Sequence, residues 1–310
     1  MGSSTAASPD VLVAGAGPAG SAVAIRLARA GRRVLLVDRA AFPRDKPCAD
    51  YLSPGALRAL GALGLRERVE ALGTALEGIA VETVTGSRLE GRFAEAGAEP
   101  RERHGCCLPR RELDALLVGA ARDAGAELAE RTVVEALVHE DGGVGGAVVR
   151  DAAGRRRLVR ARLTIGADGL RSVVARCIGG RRHSVPRRVA FVGHFEAGAD
   201  AKVAHMVVGA SGYAGINPLG GGISNVALVV PAPLAARARG DAEGFMRSEL
   251  AALPGLGAAI ARGRIVRKVL VTGPFAARSR RIVTGGAALV GDAADFFDPF
   301  TGEGVCSALR

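Results

Sequence analysis

The chain has 310 residues, enough for about two domains, and 48% of them are hydrophobic, which provides ample material for a buried core. Its net charge of +11 is carried almost entirely by arginine. That charge indicates either attraction to anions, such as phosphate-bearing cofactors or an acidic membrane surface, or a plain compositional bias toward Arg, Ala and Gly. The basic residues are scattered and are not interleaved with aromatic residues, which excludes a nucleic-acid-binding surface.

The five cysteines are odd in number and form no C-x-x-C pair, which argues against a disulfide framework and against a zinc site. The histidines show no ligand spacing, so we predict no metal. No basic segment precedes the first apolar run, and Arg26 interrupts that run before it reaches membrane-spanning length. We therefore expect a cytoplasmic protein with at most peripheral contact with a membrane, and a disordered N-terminus over residues 1–9.

The first elements in chain order form a strand, a glycine-rich turn, a helix and a second strand: Asp10–Ala14, Gly15-x-Gly17-x-x-Gly20, Ser21–Ala30 and Val34–Val37. Glycines at this spacing permit a tight turn and a close approach of the backbone to a pyrophosphate, at the N-terminus of a helix. Asp38 ends the second strand, where an acidic residue accepts a hydrogen bond from a ribose hydroxyl. The pattern predicts dinucleotide binding, and the alternative is a tight turn in an unrelated α/β fold.

Apolar spacing predicts helices over residues 53–72, 109–124 and 241–261, the last interrupted near Pro254. Further strands are predicted over these segments: Gly78–Thr85, Ser87–Phe93, Thr132–His139, Val144–Arg150, Arg157–Ile165, Val189–Phe195, Val203–Val208, Tyr213–Pro218, Ser224–Pro231, Val266–Thr272 and Ala287–Val290. Strands near both ends of the chain have to join one sheet. We predict an α/β fold with a discontinuous Rossmann-like dinucleotide-binding domain and an inserted antiparallel β-sheet substrate domain. The first comprises residues 10–75, 106–180 and 276–310, and the second 76–105 and 181–275.

Two further segments place a carboxylate at the end of a predicted core strand. Asp168 lies in Gly-Ala-Asp-Gly before a helix, where it either contacts a cofactor or serves as the helix N-cap. Asp292 follows Gly291 and precedes the segment Asp298-Pro299-Phe-Thr-Gly302-Glu-Gly304, which opens a terminal helix. Ligands of α/β sheets gather at such strand ends, and a helix N-terminus stabilises negative charge. The alternative for this last segment is a structural turn.

These three motifs, in this order, resemble the FAD-dependent family of p-hydroxybenzoate hydroxylase-type monooxygenases, geranylgeranyl reductases and flavin-dependent halogenases. The resemblance covers Val11 to Arg310. It implies non-covalent FAD, an NAD(P)H electron donor, and the following cofactor-binding residues: Gly15, Gly17 and Gly20 at the pyrophosphate, Asp38 at the adenine ribose, Asp168 near both nucleotides, Asp292 at the ribityl chain, and Pro299, Gly302 and Gly304 along the flavin ring. Arg39 and Gly291 belong to the cofactor-binding set as well, without an assigned contact.

Arg110 joins this set because Pro109-Arg-Arg-Glu-Leu-Asp114 resembles the family's R-x-x-[LF]-D segment, whose arginine contacts FAD. Two cations in the first turn of a helix are also unfavourable, because the N-terminal end of the helix dipole is positive. Such a departure from the usual charge pattern of a helix often marks a functional site. The alternative is that Glu112 and Asp114 simply neutralise the two arginines.

The segment from Phe42 to Pro54 resembles the K-x-C-G-x-x-L-[ST]-P stretch of the reductase and halogenase-like branch, with Cys48 in place and Ala49 replacing glycine. Cys48 is thereby a candidate catalytic residue that shapes the flavin face or assists proton delivery; the alternative is a small buried hydrophobe. Tyr213 is the second catalytic candidate, because it matches the Y-x-W-x-F-P motif of prenyl reductases. Gly215 and Asn217 replace the two large aromatics of that motif, which excludes halogenation and predicts a wider or differently shaped cavity.

The resemblance is nearest to the geranylgeranyl reductase-like branch. It implies an enzyme that uses NAD(P)H-reduced flavin to reduce a hydrophobic, polyene or isoprenoid-type substrate. The first alternative is a monooxygenase that hydroxylates an aromatic or polyketide-like small molecule. The second is a flavin-binding homologue without activity, because family members usually continue well beyond Arg310 and we expect a shortened C-terminal part. A nicotinamide-only dehydrogenase is the third. The oligomeric state stays open.

Overall fold

The computed structural model describes residues 8–93, 103–140, 142–196 and 202–310. The disorder expected at the N-terminus covers residues 1–9, of which 1–7 lie outside the described part of the chain. The strands are β1 (Val11–Ala14), β2 (Val34–Val37), β3 (Tyr51–Leu52), β4 (Thr74–Leu76), β5 (Gly78–Thr83), β6 (Arg88–Arg92), β7 (Gly105–Cys107), β8 (Glu127–Ala129), β9 (Val133–Glu140), β10 (Gly143–Arg150), β11 (Arg156–Arg160), β12 (Leu163–Gly166), β13 (Arg181–His183), β14 (Arg188–Glu196), β15 (Val203–Val208), β16 (Tyr213–Gly220), β17 (Ile223–Pro231), β18 (Arg264–Thr272), β19 (Ala277–Ser279), β20 (Val283–Thr284), β21 (Ala287–Leu289) and β22 (Asp295–Phe296).

The helices are α1 (Pro18–Arg29), α2 (Pro54–Ala62), α3 (Arg66–Leu72), α4 (Arg110–Asp123), α5 (Val173–Ile178), α6 (Ala232–Ala235), α7 (Ala242–Ala251), α8 (Leu256–Ile260) and α9 (Gly304–Leu309). Pro18 occupies the first turn of α1, where its missing N–H costs nothing. Ser53 caps α2 through its side chain. Among the described residues, no helix has the length and apolar character needed to cross a bilayer.

A six-stranded sheet in the order β20-β21-β12-β1-β2-β8 forms one half of the molecule. All neighbouring pairs are parallel except β20 with β21. Strands β1 and β2 are buried along their whole length, as the strands of covered parallel sheets are. Val13 and Leu36 face the cluster with α1 and α4, and Leu12 and Leu35 face the antiparallel meander β9–β11 and α5. The sheet is therefore covered on both faces.

A seven-stranded sheet in the order β18-β14-β17-β16-β15-β5-β6 forms the other half. Its neighbours are antiparallel except β5 with β15. One face packs Phe191 and Leu228 against α7 and α8. The other face carries Ala190, Val192 and Val229 and looks toward the parallel sheet. This alternation places one apolar sheet face next to the ends of the parallel strands.

Two small sheets connect the halves: β3-β7-β4 and β13-β19-β22. The parallel sheet takes its strands from residues 11–37, 127–129, 163–166 and 283–289, and the seven-stranded sheet takes its strands from 78–92 and 188–272. We propose the same domain division as above on this basis. The sheet β13-β19-β22 pairs strands from both sides of the boundaries near residues 180 and 276, so it joins the two proposed domains.

Two predicted elements are divided in the structure. The single helix over 53–72 is wrong, because Gly64 adopts φ +75° and the N–H of Leu65 donates to Leu60, which ends α2 before α3 begins. The single strand over 157–165 is also wrong, since the N–H of Ala161 still bonds the meander while that of Arg162 bonds Asp10 beside β1. The chain changes sheets at that point.

Candidate functional site

A cavity of about 920 Å³ lies between the carboxyl ends of the parallel strands and the inner face of the seven-stranded sheet. The segments that follow β1, β2, β12 and β21 all line it. Ligands of open α/β sheets bind at this edge. The walls are charged near the glycine-rich turn and apolar along the sheet face, so the cavity offers one continuous space to ligands with both characters.

The glycine-rich turn needs glycine for two different reasons. Gly15 adopts φ +102°, and a Cβ on Gly20 would collide with the carbonyl oxygen of Gly15, so both positions require glycine for the shape of the turn. Gly17 has room for a Cβ, which would lie 3.7 Å from Nη2 of Arg44 and 3.8 Å from Nη2 of Arg110. Glycine at position 17 therefore leaves bare backbone facing two guanidinium groups.

A cationic wall stands beside this turn. Arg110 is buried, and its Nε and Nη2 donate to the two carboxylate oxygens of Asp114, each at 2.8 Å. Nη1 of Arg44 lies 3.0 Å from the same carboxylate. Lys46 lines the wall as well, and desolvation, with the nearby Arg110 and Arg44, lowers its pKa. Asp114 thus pairs with Arg110, and Asp292 lies near Lys46 and Arg110, so two carboxylates stand against three cations and the wall stays positive, which suits a diphosphate.

Asp38 is buried at the end of β2 and holds the turn in place. One carboxylate oxygen accepts from the N–H of Ala16 at 2.8 Å, and the other accepts from the N–H of Ala40 at 2.9 Å. Arg39 is exposed at the cavity rim. Both residues line the cavity, while the contact of Asp38 with a ribose and the role of Arg39 in cofactor binding stay predictions.

Asp168 is not the N-cap residue of α5, and its contact with the cofactor stays a prediction. Its Oδ2 accepts from the N–H of Val173 at 2.7 Å in the first turn of α5, but the N-cap residue of that helix is Ser172. Its Oδ1 is buried and has no hydrogen-bond partner within the described part of the chain. A buried acceptor without a partner at a cavity wall is ready for a ligand hydroxyl.

The last segment of the chain lines the cavity opposite the turn. Gly291 and Gly302 have φ of +56° and +70°, and a Cβ on Gly302 would lie 2.7 Å from the ring of Tyr51. Burial raises the pKa of Asp292, and Lys46 and Arg110 oppose that shift. The backbone at Gly302 therefore lies so close to the ring of Tyr51 that only glycine fits at this position.

Cys48 borders the cavity on a loop that is hydrogen-bonded to the seven-stranded sheet. Burial raises the pKa of its thiol, so the thiol is neutral. Asp50, two residues on, adopts φ +56°, and its side chain is fully buried. Its carboxylate accepts from His194 Nε2 at 3.0 Å, from Asn225 Nδ2 at 2.6 Å and from the N–H of Arg110 at 3.0 Å. Asn217 Nδ2 also donates to the carbonyl oxygen of Ala49 at 3.0 Å, so side chains of the sheet hold this loop in place.

Tyr213 connects the sheet to the last segment. Its hydroxyl donates to Oδ1 of Asp298 at 2.6 Å, and Arg188 donates to Oδ2 of the same carboxylate at 2.7 Å. The N–H of Phe300 also bonds Oδ1, at 3.0 Å, and the ring of Phe300 packs edge-on against Tyr213 at 5.0 Å. Burial and Asp298 raise the pKa of Tyr213. The hydroxyl is therefore committed to fixing the loop that carries Pro299.

The cavity collects nearly all the residues predicted for the site: Gly15, Gly17, Asp38, Arg39, Cys48, Arg110, Asp168, Tyr213, Gly291, Asp292, Pro299, Gly302 and Gly304. Gly20 lies behind the turn and shapes it instead. Sequence reasoning missed Arg44, Lys46 and Asp50. The two cations, Arg44 and Lys46, stand within a few residues of Cys48, so the cluster of positive charge there was an available signal. The hydrogen-bond partners of Asp50 come from distant strands, so the sequence carries no signal for its network.

Comparisons with known proteins identify relatives along almost the whole chain. A family model described as FAD binding domain matches residues 8–310. The chain is 33% identical to a menaquinone reductase of Mycolicibacterium smegmatis, over 97% of this chain and 74% of that protein. It is 30% identical to a digeranylgeranylglycerophospholipid reductase of Methanosarcina mazei, over 97% and 72%. Among solved structures, a myxobacterial chondrochloren halogenase described as FAD-dependent superposes with a TM-score of 0.88 at 25% identity, covering 97% of this chain and 72% of that one.

The residues present fit FAD. Bare backbone at Gly17 faces a positive wall, the orphaned oxygen of Asp168 lies at the same cavity, and Gly302 opens the opposite side. The family model spans almost the whole chain, two relatives are named as reductases, and the superposed halogenase is described as FAD-dependent. The chain therefore belongs to the FAD-binding-domain family and is an FAD-dependent oxidoreductase.

Proposed function

We propose that this enzyme is a geranylgeranyl reductase-like flavoprotein, which takes electrons from NAD(P)H and reduces a carbon–carbon double bond of a hydrophobic, isoprenoid-type substrate. The observation that carries the proposal is the continuity of the cavity, which joins the charged wall at Gly17 to the apolar sheet face at Val192 and Ala227. Two relatives are named for the reduction of menaquinone and of digeranylgeranylglycerophospholipid, which supports this class of substrate.

The proposed assignment of the cofactor-binding residues follows the charge of the walls. Gly17, Arg44 and Arg110 hold the diphosphate, because bare backbone and two guanidinium groups converge there. Asp38 lies at the ribose end, and Asp292 and the Pro299–Gly304 loop lie at the ring end. FAD, when bound, carries a hydride from NAD(P)H to the substrate. The apolar face excludes water from the substrate end, which strengthens the electrostatic interactions there.

Cys48 is the proposed proton donor. Reduction of a double bond places a hydride on one carbon and a proton on the other, so a protonated group has to border the substrate. The thiol of Cys48 stays protonated because burial raises its pKa, and it lines the cavity. The hydroxyl of Tyr213 donates a hydrogen bond to Asp298. We therefore assign Tyr213 a positioning role for the loop that carries Pro299 and Phe300.

The test is an anaerobic half-reaction experiment. FAD-loaded protein is reduced with NADPH or NADH and then mixed with menaquinone or a geranylgeranyl lipid in the absence of oxygen. We expect the oxidised flavin spectrum to return and mass spectrometry to show a product that keeps two added hydrogens after air has reoxidised any quinol to the quinone. A product that appears only with oxygen and contains an added oxygen atom would overturn the proposal in favour of a monooxygenase. Flavin that neither nucleotide reduces would show cofactor binding without this activity.

A further inference from the structure

Arg181 lies on β13, at the junction of the two proposed domains, and its guanidinium binds four backbone carbonyl oxygens. Nη1 donates to the carbonyl oxygen of Leu170 and, at 3.5 Å, to that of Gly169. Nη2 donates to the carbonyl oxygens of Ala277 at 2.8 Å and of Asp292 at 2.9 Å. One side chain therefore connects three segments: the turn after β12, strand β19 and the turn after β21.

Two of these segments carry carboxylates that line the cavity. Asp168 directly precedes the first pair of carbonyl groups, and Asp292 itself supplies one of the four oxygens. Strands β12 and β21 are parallel neighbours whose pairing ends at Gly166 and Leu289. Beyond these residues the sheet no longer fixes the spacing of the two segments. The separation of Asp168 from Asp292 therefore depends on side-chain contacts such as those of Arg181.

A second side chain holds the turn after β21 from the same direction. The Oγ of Ser279 donates to the carbonyl oxygen of Ala293 at 2.7 Å, and the N–H of Ser279 donates to that of Ala294 at 2.9 Å. With the bond from Arg181 to Asp292, three consecutive carbonyl oxygens of this turn are bound by the small sheet β13-β19-β22. Arg181 extends the same attachment to the turn after β12.

The charge of Arg181 acts on the same two carboxylates. Two carboxylates that line one cavity repel each other, and burial disfavours the ionised form of each. The guanidinium of Arg181 is close enough to Asp168 and Asp292 to interact with both charges. Burial raises the pKa of Asp292, and Arg181 opposes that shift together with Lys46 and Arg110. The geometry and the charge of Arg181 therefore favour the same arrangement of the two carboxylates.

We propose that Arg181 is a positioning residue for the cofactor, which fixes the separation of Asp168 and Asp292 and offsets their mutual repulsion. The inference rests on the proposed assignment of these two residues to FAD. It adds a residue that is not part of the cavity wall and that acts on the cofactor through the two carboxylates.

The experiment is a double-mutant cycle read out as FAD affinity. Arg181→Met is made in the parent protein and in Asp292→Asn, and each apoprotein is titrated with FAD while the quenching of flavin fluorescence is followed. Near-UV circular dichroism of each apoprotein checks that the fold is kept. Arg182→Met is the matched control, because Arg182 is the next residue on β13 and its side chain is exposed.

We expect Arg181→Met to weaken FAD binding about tenfold in the parent protein, and Arg182→Met to stay within about twofold. In Asp292→Asn the same Arg181→Met change should cost less than about threefold, because one of the two charges that Arg181 keeps apart is gone. The same loss in both backgrounds, as a purely structural arginine would give, or unchanged binding in the parent protein would overturn the proposal.

If Arg181→Met does not fold, Arg181→Lys decides by the same criterion. Lysine keeps the charge but brings one nitrogen to the four carbonyl oxygens, so it cannot connect the three segments as arginine does. The titration measures cofactor binding and needs no turnover. A protein that shows the expected coupling and reduces no double bond would therefore refute the proposed function and leave the role of Arg181 standing.

Discussion

A methyl group at position 20 provides a stringent test of the glycine-rich turn. In Gly20→Ala the new Cβ meets the carbonyl oxygen of Gly15, and the Cβ of Ala167 lies 3.1 Å away on its other side. No side-chain rotation relieves this contact because the obstacle is backbone, so α1 has to move away from the turn. Overpacking of this kind costs about 1–3 kcal/mol.

The displacement moves the bare backbone at Gly17 relative to Arg44 and Arg110, the groups that we propose hold the diphosphate. We expect the dissociation constant for FAD to rise by about tenfold to a hundredfold, since each 1.4 kcal/mol is a factor of ten. The assay is a titration of apoprotein with FAD, followed by the quenching of flavin fluorescence.

Gly119→Ala is the matched control. Gly119 lies in α4, and no heavy atom stands within 4 Å of its Cβ position, so this methyl group should stabilise the helix by up to about 1 kcal/mol and leave FAD affinity unchanged. If Gly20→Ala binds FAD as tightly as Gly119→Ala does, the turn does not form the cofactor site and the reasoning fails.

Three further predictions follow from single contacts. Asn at position 50 tolerates left-handed backbone as Asp does, but Asp50→Asn removes a buried carboxylate that accepts three hydrogen bonds. The free energy of unfolding in urea should therefore fall by about 1–3 kcal/mol. An unchanged unfolding midpoint would refute this. Tyr213→Phe should slow flavin reoxidation by substrate less than Asp298→Ala, because the second change removes the acceptor of three hydrogen bonds; stopped-flow rates in the opposite order would contradict the positioning role. Burial raises the pKa of Cys106 to about 12 from an ordinary value of 9.0, so its contribution to stability is complete below pH 9.0 and is lost as the pH rises toward 12. Thermal denaturation between these limits should show a shallower decline for Cys106→Ala, and an identical slope would count against the burial argument.

The local part of the fold was predictable from the sequence because its signals are close together in the chain. The unit β1–α1–β2 carries its turn, helix and strands within one continuous stretch, and the strand Val203–Val208 was predicted to the residue. Most strands of the seven-stranded sheet were also predicted, and β14, β16 and β17 each have one face on α7 and α8 and the other on the cavity. Elements that depend on residues close together in the chain can therefore be predicted from local sequence patterns.

The parts that escaped prediction depend on contacts between distant segments. Asp50 meets His194 and Asn225 across 144 and 175 residues, so no spacing in the chain announces the network. Strands β3, β4 and β7 have two or three residues each, too few to show a period. The hydrogen bond from the Tyr213 hydroxyl to Asp298 likewise joins residues 85 apart, so no local pattern in the sequence indicates it.

A crystal structure of the FAD-loaded protein would test most directly the claim that one cavity holds the whole cofactor. The account predicts density for the diphosphate between Gly17 and the guanidinium groups of Arg44 and Arg110, with the ring system beside Cys48 and the Pro299–Gly304 loop. FAD bound outside this cavity, or in it with the adenine at the Pro299–Gly304 loop, would contradict the account.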